Sequence, residues 1–143
     1  MRIPVNFFNE EHPFRLRKKQ LIKSWIDRVV HDENGETGEI NIIFTSDSHL
    51  LKINQEHLNH DYFTDIITFN YNEDNIVSGD LFISVDRVKD NAKALQLPFI
   101  EEMHRVIIHG VLHLLGYHDK KPEEISVMRQ KENFYLEKLR KIL

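Results

Sequence analysis

The chain has 143 residues and a formal net charge of -4, with 41% hydrophobic and 29% charged residues. This balance excludes a disordered chain and predicts a single domain, residues 1–143, around one hydrophobic core. The sequence contains no cysteine, which excludes disulfides and thiolate metal sites, so any metal must bind nitrogen and oxygen atoms. No apolar run near the start has the length of a signal peptide or a membrane span, and we expect a cytoplasmic protein without a membrane partner.

The first half of the chain alternates predicted strands and helices. Residues 3–8 are rich in β-branched and aromatic side chains and predict a strand. Apolar residues at helical spacing then predict an amphipathic helix from Arg15 to about His31, with a basic outer face. Residues 39–45 form the hydrophobic run of a largely buried strand, and a further helix is predicted over about 48–58.

The second half begins with a predicted hairpin. The strand-like runs 64–71 and 79–85 are joined by an acidic, Asn-rich loop, which favours antiparallel pairing. Helices are predicted over about 85–97 and 99–115, and a last helix opens at Pro122. The order of elements predicts an α+β fold, in which helices pack on a small mixed β-sheet.

The segment HGVLHLLGYHD predicts a metal site. His109 and His113 lie four residues apart in a helical segment, so both side chains emerge on one face and can share one cation. Gly116 can adopt a positive φ, which would turn the chain back and bring Asp119 to the metal. This is the pattern of a zincin-like helix. Three protein ligands leave a fourth place for water, as in catalytic zinc sites, so a metal-dependent hydrolase is predicted.

Two residues of this segment leave alternatives open. His118 is a second candidate for the third ligand, because histidine is the more familiar donor; the spacing favours Asp119, and we expect His118 to lie beside the ligands or toward the substrate. Gly110 stands where zinc peptidases of the HExxH type place their glutamate base, which disfavours a metallopeptidase. A glycine there could also allow the helix to approach the sheet closely.

The same segment supports a family assignment. HGVLHLLGY resembles the signature of the YbeY-type rRNA maturation factors, which are bacterial metal-dependent endoribonucleases specific for single-stranded RNA. TDIITF (64–69) and GDLFIS (79–84) resemble two strand motifs of that family, and Ile53 with Asn54 resembles its helix before the loop. The likeness extends over nearly the whole chain.

The resemblance implies one zinc ion on His109, His113 and Asp119. It also implies hydrolysis of precursor RNA during maturation of the 16S rRNA 3′ end and in ribosome quality control, with the small ribosomal subunit as a partner. The family usually has histidine where Asp119 stands, and arginine where Leu58 aligns, so a phosphate-binding cation is missing. Arg105, one helical turn before His109, is the candidate catalytic replacement.

Other residues are candidates for supporting roles. Thr64 and Asp65, where a predicted strand begins, could orient a ligand histidine through a hydrogen bond. Because the net charge is acidic, RNA would have to bind a local basic face; the candidates are Arg15, Arg17, Lys18 and Lys19. The acidic charge and the missing arginine leave a second function open, a ribosome-assembly factor that is stabilised by metal and has no catalytic activity.

Overall fold

A computed structural model describes residues 2–59 and 63–143 of the protein. The strands found there are β1 (Val5–Asn9), β2 (Glu36–Thr45), β3 (Ile66–Asn70) and β4 (Ile76–Ser84). The helices are α1 (Lys19–Asp32), α2 (Asp47–Leu58), α3 (Val85–Leu95), α4 (Phe99–Leu114) and α5 (Pro122–Ile142). The predicted α+β fold with a small mixed sheet is confirmed.

The four strands form one sheet in the order β1-β2-β4-β3. β1 runs parallel to β2, and β2 runs parallel to β4. β3 and β4 are antiparallel, with Ile67 opposite Phe82, which confirms the predicted hairpin. Parallel neighbours need a crossover connection. α1 joins β1 to β2, and the chain passes through α2 and β3 between β2 and its other parallel neighbour, β4.

The hydrophobic core lies between one face of the sheet and the helices α1 and α4. Alternate residues of β2 point to this face, and Ile40, Ile42 and Phe44 are almost completely buried. The apolar stripe of α1 and most of α4 pack against them in one continuous cluster. α2 covers part of the opposite face, where the rings of His57 and Phe69 meet. In the two described stretches, no helix is both long and apolar enough to cross a membrane.

Three predicted boundaries were wrong by at least three residues, at the starts of the first helix, β2 and β4, and β4 begins at Ile76 and not at residue 79. The first helix begins at Lys19 and not at Arg15, because Lys18 adopts a left-handed conformation with φ of 57°. Leu16 lies ahead of the helix and is buried. Because this apolar residue continues the helical spacing, the sequence pattern predicted an additional helical turn there. β2 begins at Glu36, where the chain pairs with β4 before a register shift that the sequence pattern does not mark.

Helix α4 approaches the hairpin closely at two glycines. A Cβ atom on Gly79 of β4 would collide with the backbone oxygen of Phe69 and would lie 2.6 Å from Leu114 of α4. A Cβ atom on Gly110 of α4 would lie 2.6 Å from the outer methyl group of Ile66. Both glycines therefore let the ligand-bearing helix lie directly on β3 and β4, and close packing accounts for the glycine that follows His109.

We expect Gly79→Ala to destabilise the protein more than Gly110→Ala. The Cβ atom added at position 79 would collide with a backbone atom that cannot move without breaking the β3–β4 pairing. The Cβ atom added at position 110 would contact only the ends of side chains. Overpacking of the second kind costs about 1 to 3 kcal/mol, and Gly79→Ala should exceed that range. Urea unfolding of both variants measures the difference. Equal losses of stability would show that the backbone contact is not the limiting one.

Candidate metal centre

The last turn of α4 and the loop after it bring three ligand atoms together. The helix ends at Leu114, and Gly116 has a φ of 101°, which turns the chain back as the sequence predicted. His109 Nε2 lies 2.9 Å from His113 Nε2. Asp119 Oδ2 lies 3.2 Å from His109 Nε2 and 3.3 Å from His113 Nε2. This cluster could hold a metal ion.

The spacing of these atoms suits a tetrahedral ion. Bonds of about 2.0–2.1 Å place neighbouring ligand atoms of a tetrahedron about 3.3 Å apart, close to the separations between Asp119 and the two histidines. His118 is exposed and lines a different depression, together with Glu123 and Glu124. The structure therefore brings Asp119, and not His118, to the histidine pair.

Each ligand histidine is oriented through its other ring nitrogen. His109 Nδ1 donates to Glu132 Oε2 at 2.6 Å, and His113 Nδ1 donates to the backbone oxygen of Tyr117 at 2.9 Å. A carbonyl oxygen can only accept, so the proton of His113 lies on Nδ1 and the lone pair of Nε2 faces the cluster. Such partners fix the ring orientation of metal-binding histidines. Because both Nδ1 atoms are taken, the predicted hydrogen bond from Thr64 or Asp65 to a ligand histidine was wrong.

Glu132 is a buried carboxylate that sequence reasoning missed. Its side chain is 4% exposed and accepts a hydrogen bond of 2.9 Å from Arg105, while Arg129 lies 3.3 Å away. Burial raises the pKa of Glu132, but the hydrogen bond and charge of His109, followed by Arg105, lower the pKa overall. The only sequence signal is an acidic residue within the buried stripe of α5, four residues after Met128.

The surroundings of the cluster shift the pKa values of the two histidines in opposite directions. Burial lowers the pKa of His109, but its hydrogen bond with Glu132 and the nearby charge outweigh that effect and raise the pKa. Burial also lowers the pKa of His113, and the positive charge of His109 lowers it further. Glu132 thus makes His109 the more basic imidazole, and a more basic imidazole is a stronger donor to a metal.

A second carboxylate, which is half-buried, holds the loop after α4 in place. Glu33, at the end of α1, accepts hydrogen bonds from the hydroxyl groups of Tyr117 and Tyr135. Lys131 Nζ lies 3.0 Å from the same carboxylate. The carbonyl group of Tyr117 also accepts the hydrogen bond from His113. Glu33 therefore anchors the loop that carries Asp119 and orients His113.

A cavity of about 190 Å³ opens beside His109 and Asp119. The other charged residues of its lining are Asp65, Glu102, Arg105, Arg129 and Glu132. Arg105 therefore lies next to the ligand cluster, as the sequence suggested. Leu58 is the exposed last residue of α2. Arg15, Arg17 and Lys18 line another cavity, together with Phe14 and Phe99.

Comparison with known proteins decides the family. The sequence profile of the family described as Endoribonuclease YbeY matches residues 5–140 of the chain. The chain is a member of this family. It is 45% identical over 129 residues to the Endoribonuclease YbeY of Parabacteroides distasonis, covering 90% of this chain and 91% of the relative. It is 48% identical over 126 residues to that of Flavobacterium johnsoniae, covering 88% and 91%.

A solved structure agrees with this assignment. The solution structure of a Thermotoga maritima protein superposes with a TM-score of 0.67 at 26% identity, covering 94% of this chain and 88% of that one. The family profile and the curated relatives confirm the resemblance of HGVLHLLGY and the two strand motifs to the YbeY family.

We expect Glu132→Gln to weaken metal binding by about 10- to 100-fold, the usual effect of removing a carboxylate partner from a ligand histidine. Competition with a chromophoric zinc chelator measures this affinity. Arg129→Gln is the matched control, because this more exposed arginine contacts the same carboxylate and touches no ligand. An affinity that stays unchanged in Glu132→Gln, while the control behaves as wild type, would show that Glu132 does not support the metal.

We expect Tyr117→Phe and Tyr135→Phe to have different effects on metal binding. Each change removes one hydroxyl group from Glu33, which costs about 1 to 2 kcal/mol of unfolding free energy. Only Tyr117 belongs to the ligand-bearing loop, so only its variant should also lose metal affinity, by several-fold. Thermal unfolding and chelator competition on both variants separate the two quantities. Equal metal affinities would mean that Glu33 stabilises the fold alone.

Proposed function

We propose that this protein is a zinc-dependent endoribonuclease that hydrolyses single-stranded RNA. Its substrate would be precursor rRNA in the cytoplasm, at the 3′ end of 16S rRNA on the small ribosomal subunit, with a further role in ribosome quality control. The observation that carries the proposal is the convergence of His109, His113 and Asp119 in a family whose curated members are named Endoribonuclease YbeY.

The donor set supports zinc. Two imidazole nitrogens and one carboxylate oxygen, in the absence of any cysteine, match hydrolytic zinc sites that keep one coordination place open. A bound zinc ion would supply a Lewis acid next to the scissile phosphodiester. The protein's own part is to hold the ligands in place. Glu132 and the Tyr117 carbonyl orient the two imidazoles through their Nδ1 atoms.

The cavity beside the ligands contains groups for proton transfer. Asp65 and Glu102 line it, and burial raises the pKa of both carboxyl groups. A carboxyl group whose pKa moves toward neutrality is better suited to exchange a proton at cellular pH. We assign general acid–base work to this pair, with Asp65 held by the amide of Asn91 at 3.3 Å.

Arg105 is the proposed cation beside the reacting phosphate. Its Nη1 atom is bound to Glu132, and its guanidinium group also lines the cavity next to His109. Its Nε atom also lies 3.4 Å from Glu102, and a planar guanidinium group has five donors, so these contacts leave the Nη2 donors for a phosphate oxygen. In this chain Arg105 would supply the positive charge that the family usually places at the position of Leu58.

A specific observation favours the second function, a metal-stabilised ribosome-assembly factor. Acidic side chains outnumber arginines in the lining of the cavity, with Asp65, Glu102, Asp119 and Glu132 against Arg105 and Arg129. Such a lining attracts a cation and repels phosphate. In this alternative, loss of the metal would reduce stability and ribosome association together, with no nuclease activity to lose.

The zinc-loaded protein should cleave a single-stranded RNA that spans the 16S 3′ end, and His113→Ala and Asp119→Ala should abolish both bound zinc and cleavage. His118→Ala is the matched control, because this neighbouring histidine lies outside the cluster. Elemental mass spectrometry and gel-based cleavage assays measure the two quantities. Arg105→Gln should retain zinc and lose most of the cleavage rate.

Each contrary result has a separate meaning. Zinc that is bound in wild type without any RNA cleavage would overturn the nuclease proposal and support the assembly factor. Zinc lost in His118→Ala but kept in Asp119→Ala would assign the third ligand to His118. No bound metal after incubation with zinc would contradict the metal centre itself.

A further inference from the structure

The charges of the metal cavity require that RNA be bound elsewhere as well. Its lining has four carboxylates and two arginines, and both arginines lie against one of the carboxylates, Glu132. A divalent cation would bring the sum only to about zero, which leaves little net attraction for the several phosphates of an RNA strand. Cations outside this cavity must therefore supply most of the affinity.

Two further cavities continue from the metal cavity along α4. Arg105 lines both the metal cavity and the next one, which also includes Arg140. Ile100 and His104 line that second cavity and the third. Ile100 lies nine residues before His109, which corresponds to about 14 Å along the axis of α4 and about half a turn around it, so a strand that joins the third cavity to the ligands would follow the second cavity around the helix.

The third cavity is a groove with cations at its rim and an aromatic floor. We call it the basic groove and define it by Phe14, Arg15, Arg17, Lys18, Phe99 and Ile100. Leu16 is buried between Arg15 and Arg17, and the left-handed conformation of Lys18 delays the start of α1. These two features leave all three cations exposed on one short segment. None of them has an ion-pair partner within residues 2–59 and 63–143.

We propose that the basic groove binds the single-stranded RNA that flanks the cleaved bond, an inference that rests on the proposed nuclease function. Single-stranded RNA is bound where cations follow the phosphates and aromatic rings contact the bases, and the groove offers both. Its volume is about 480 Å³, larger than that of the metal cavity. An acidic protein segment would match the cations, but it would not account for the connection with the metal site.

The test compares two triple variants of the zinc-loaded protein. Arg15→Gln, Arg17→Gln and Lys18→Gln together neutralise the groove, while Arg2→Gln, Lys52→Gln and Lys93→Gln remove the same charge from exposed positions elsewhere. Fluorescence anisotropy over a salt series gives Kd for a single-stranded RNA of about 20 nucleotides. For this binding assay alone, both triple variants and the wild-type reference also carry Arg105→Gln, which should keep zinc and lose most of the cleavage, and gels check that the RNA stays intact. Bound zinc and cleavage of an RNA of about four nucleotides are measured in parallel.

The groove variant should bind the long RNA roughly tenfold more weakly at moderate salt, and the slope of log Kd against log salt should fall by about two. The control variant, the zinc content and cleavage of the short RNA should stay near wild type. Equal long-RNA affinities for the two triple variants would overturn the groove and leave an acidic protein segment as its occupant. Absence of cleavage in wild type, with groove-dependent binding intact, would refute the nuclease and not the groove.

Discussion

The close contact between α4 and the β3–β4 hairpin is the constraint on which the fold and the site both depend. Gly79 and Gly110 remove the side chains that would hold the helix away from the sheet. One side of α4 is thereby committed to the core, and His109 and His113 are left on its boundary with α5. Most residues of α4 are buried, so only a narrow strip of the helix surface is accessible, and the two histidines lie on that strip.

Glu132 couples this helix packing to the chemistry of the site. A carboxylate that is 4% exposed is costly to bury unless charged or hydrogen-bonding partners surround it. Here the partners are His109 and Arg105, both on α4, so the position of α5 depends on the same histidine that faces the metal. Loss of that histidine would leave a buried charge with less compensation, and the ligand therefore also contributes to the stability of the α4–α5 interface.

Local sequence accounts for the ligands and not for the groups that orient them. His109, His113 and Asp119 lie within eleven residues, so helical spacing and one glycine were enough to predict their convergence. The bond from His109 to Glu132 spans 23 residues, and the bond from Tyr117 to Glu33 spans 84. Glu132 carries only the weak signal of an acid within the apolar stripe of α5, and Glu33 carries none, because the packing of α1 and α5 decides which groups surround these carboxylates.

The carboxylate at position 119 changes the charge balance of the whole site. With histidine there, a divalent ion would keep its two positive charges among neutral ligands, whereas Asp119 and the charge of Glu132 acting through His109 would offset most of them. An ion held by anionic ligands is bound more firmly and attracts phosphate less. In the proposed nuclease, recognition of an anionic strand would therefore depend on cations at a distance from the metal, where Asp119 and Glu132 do not neutralise them.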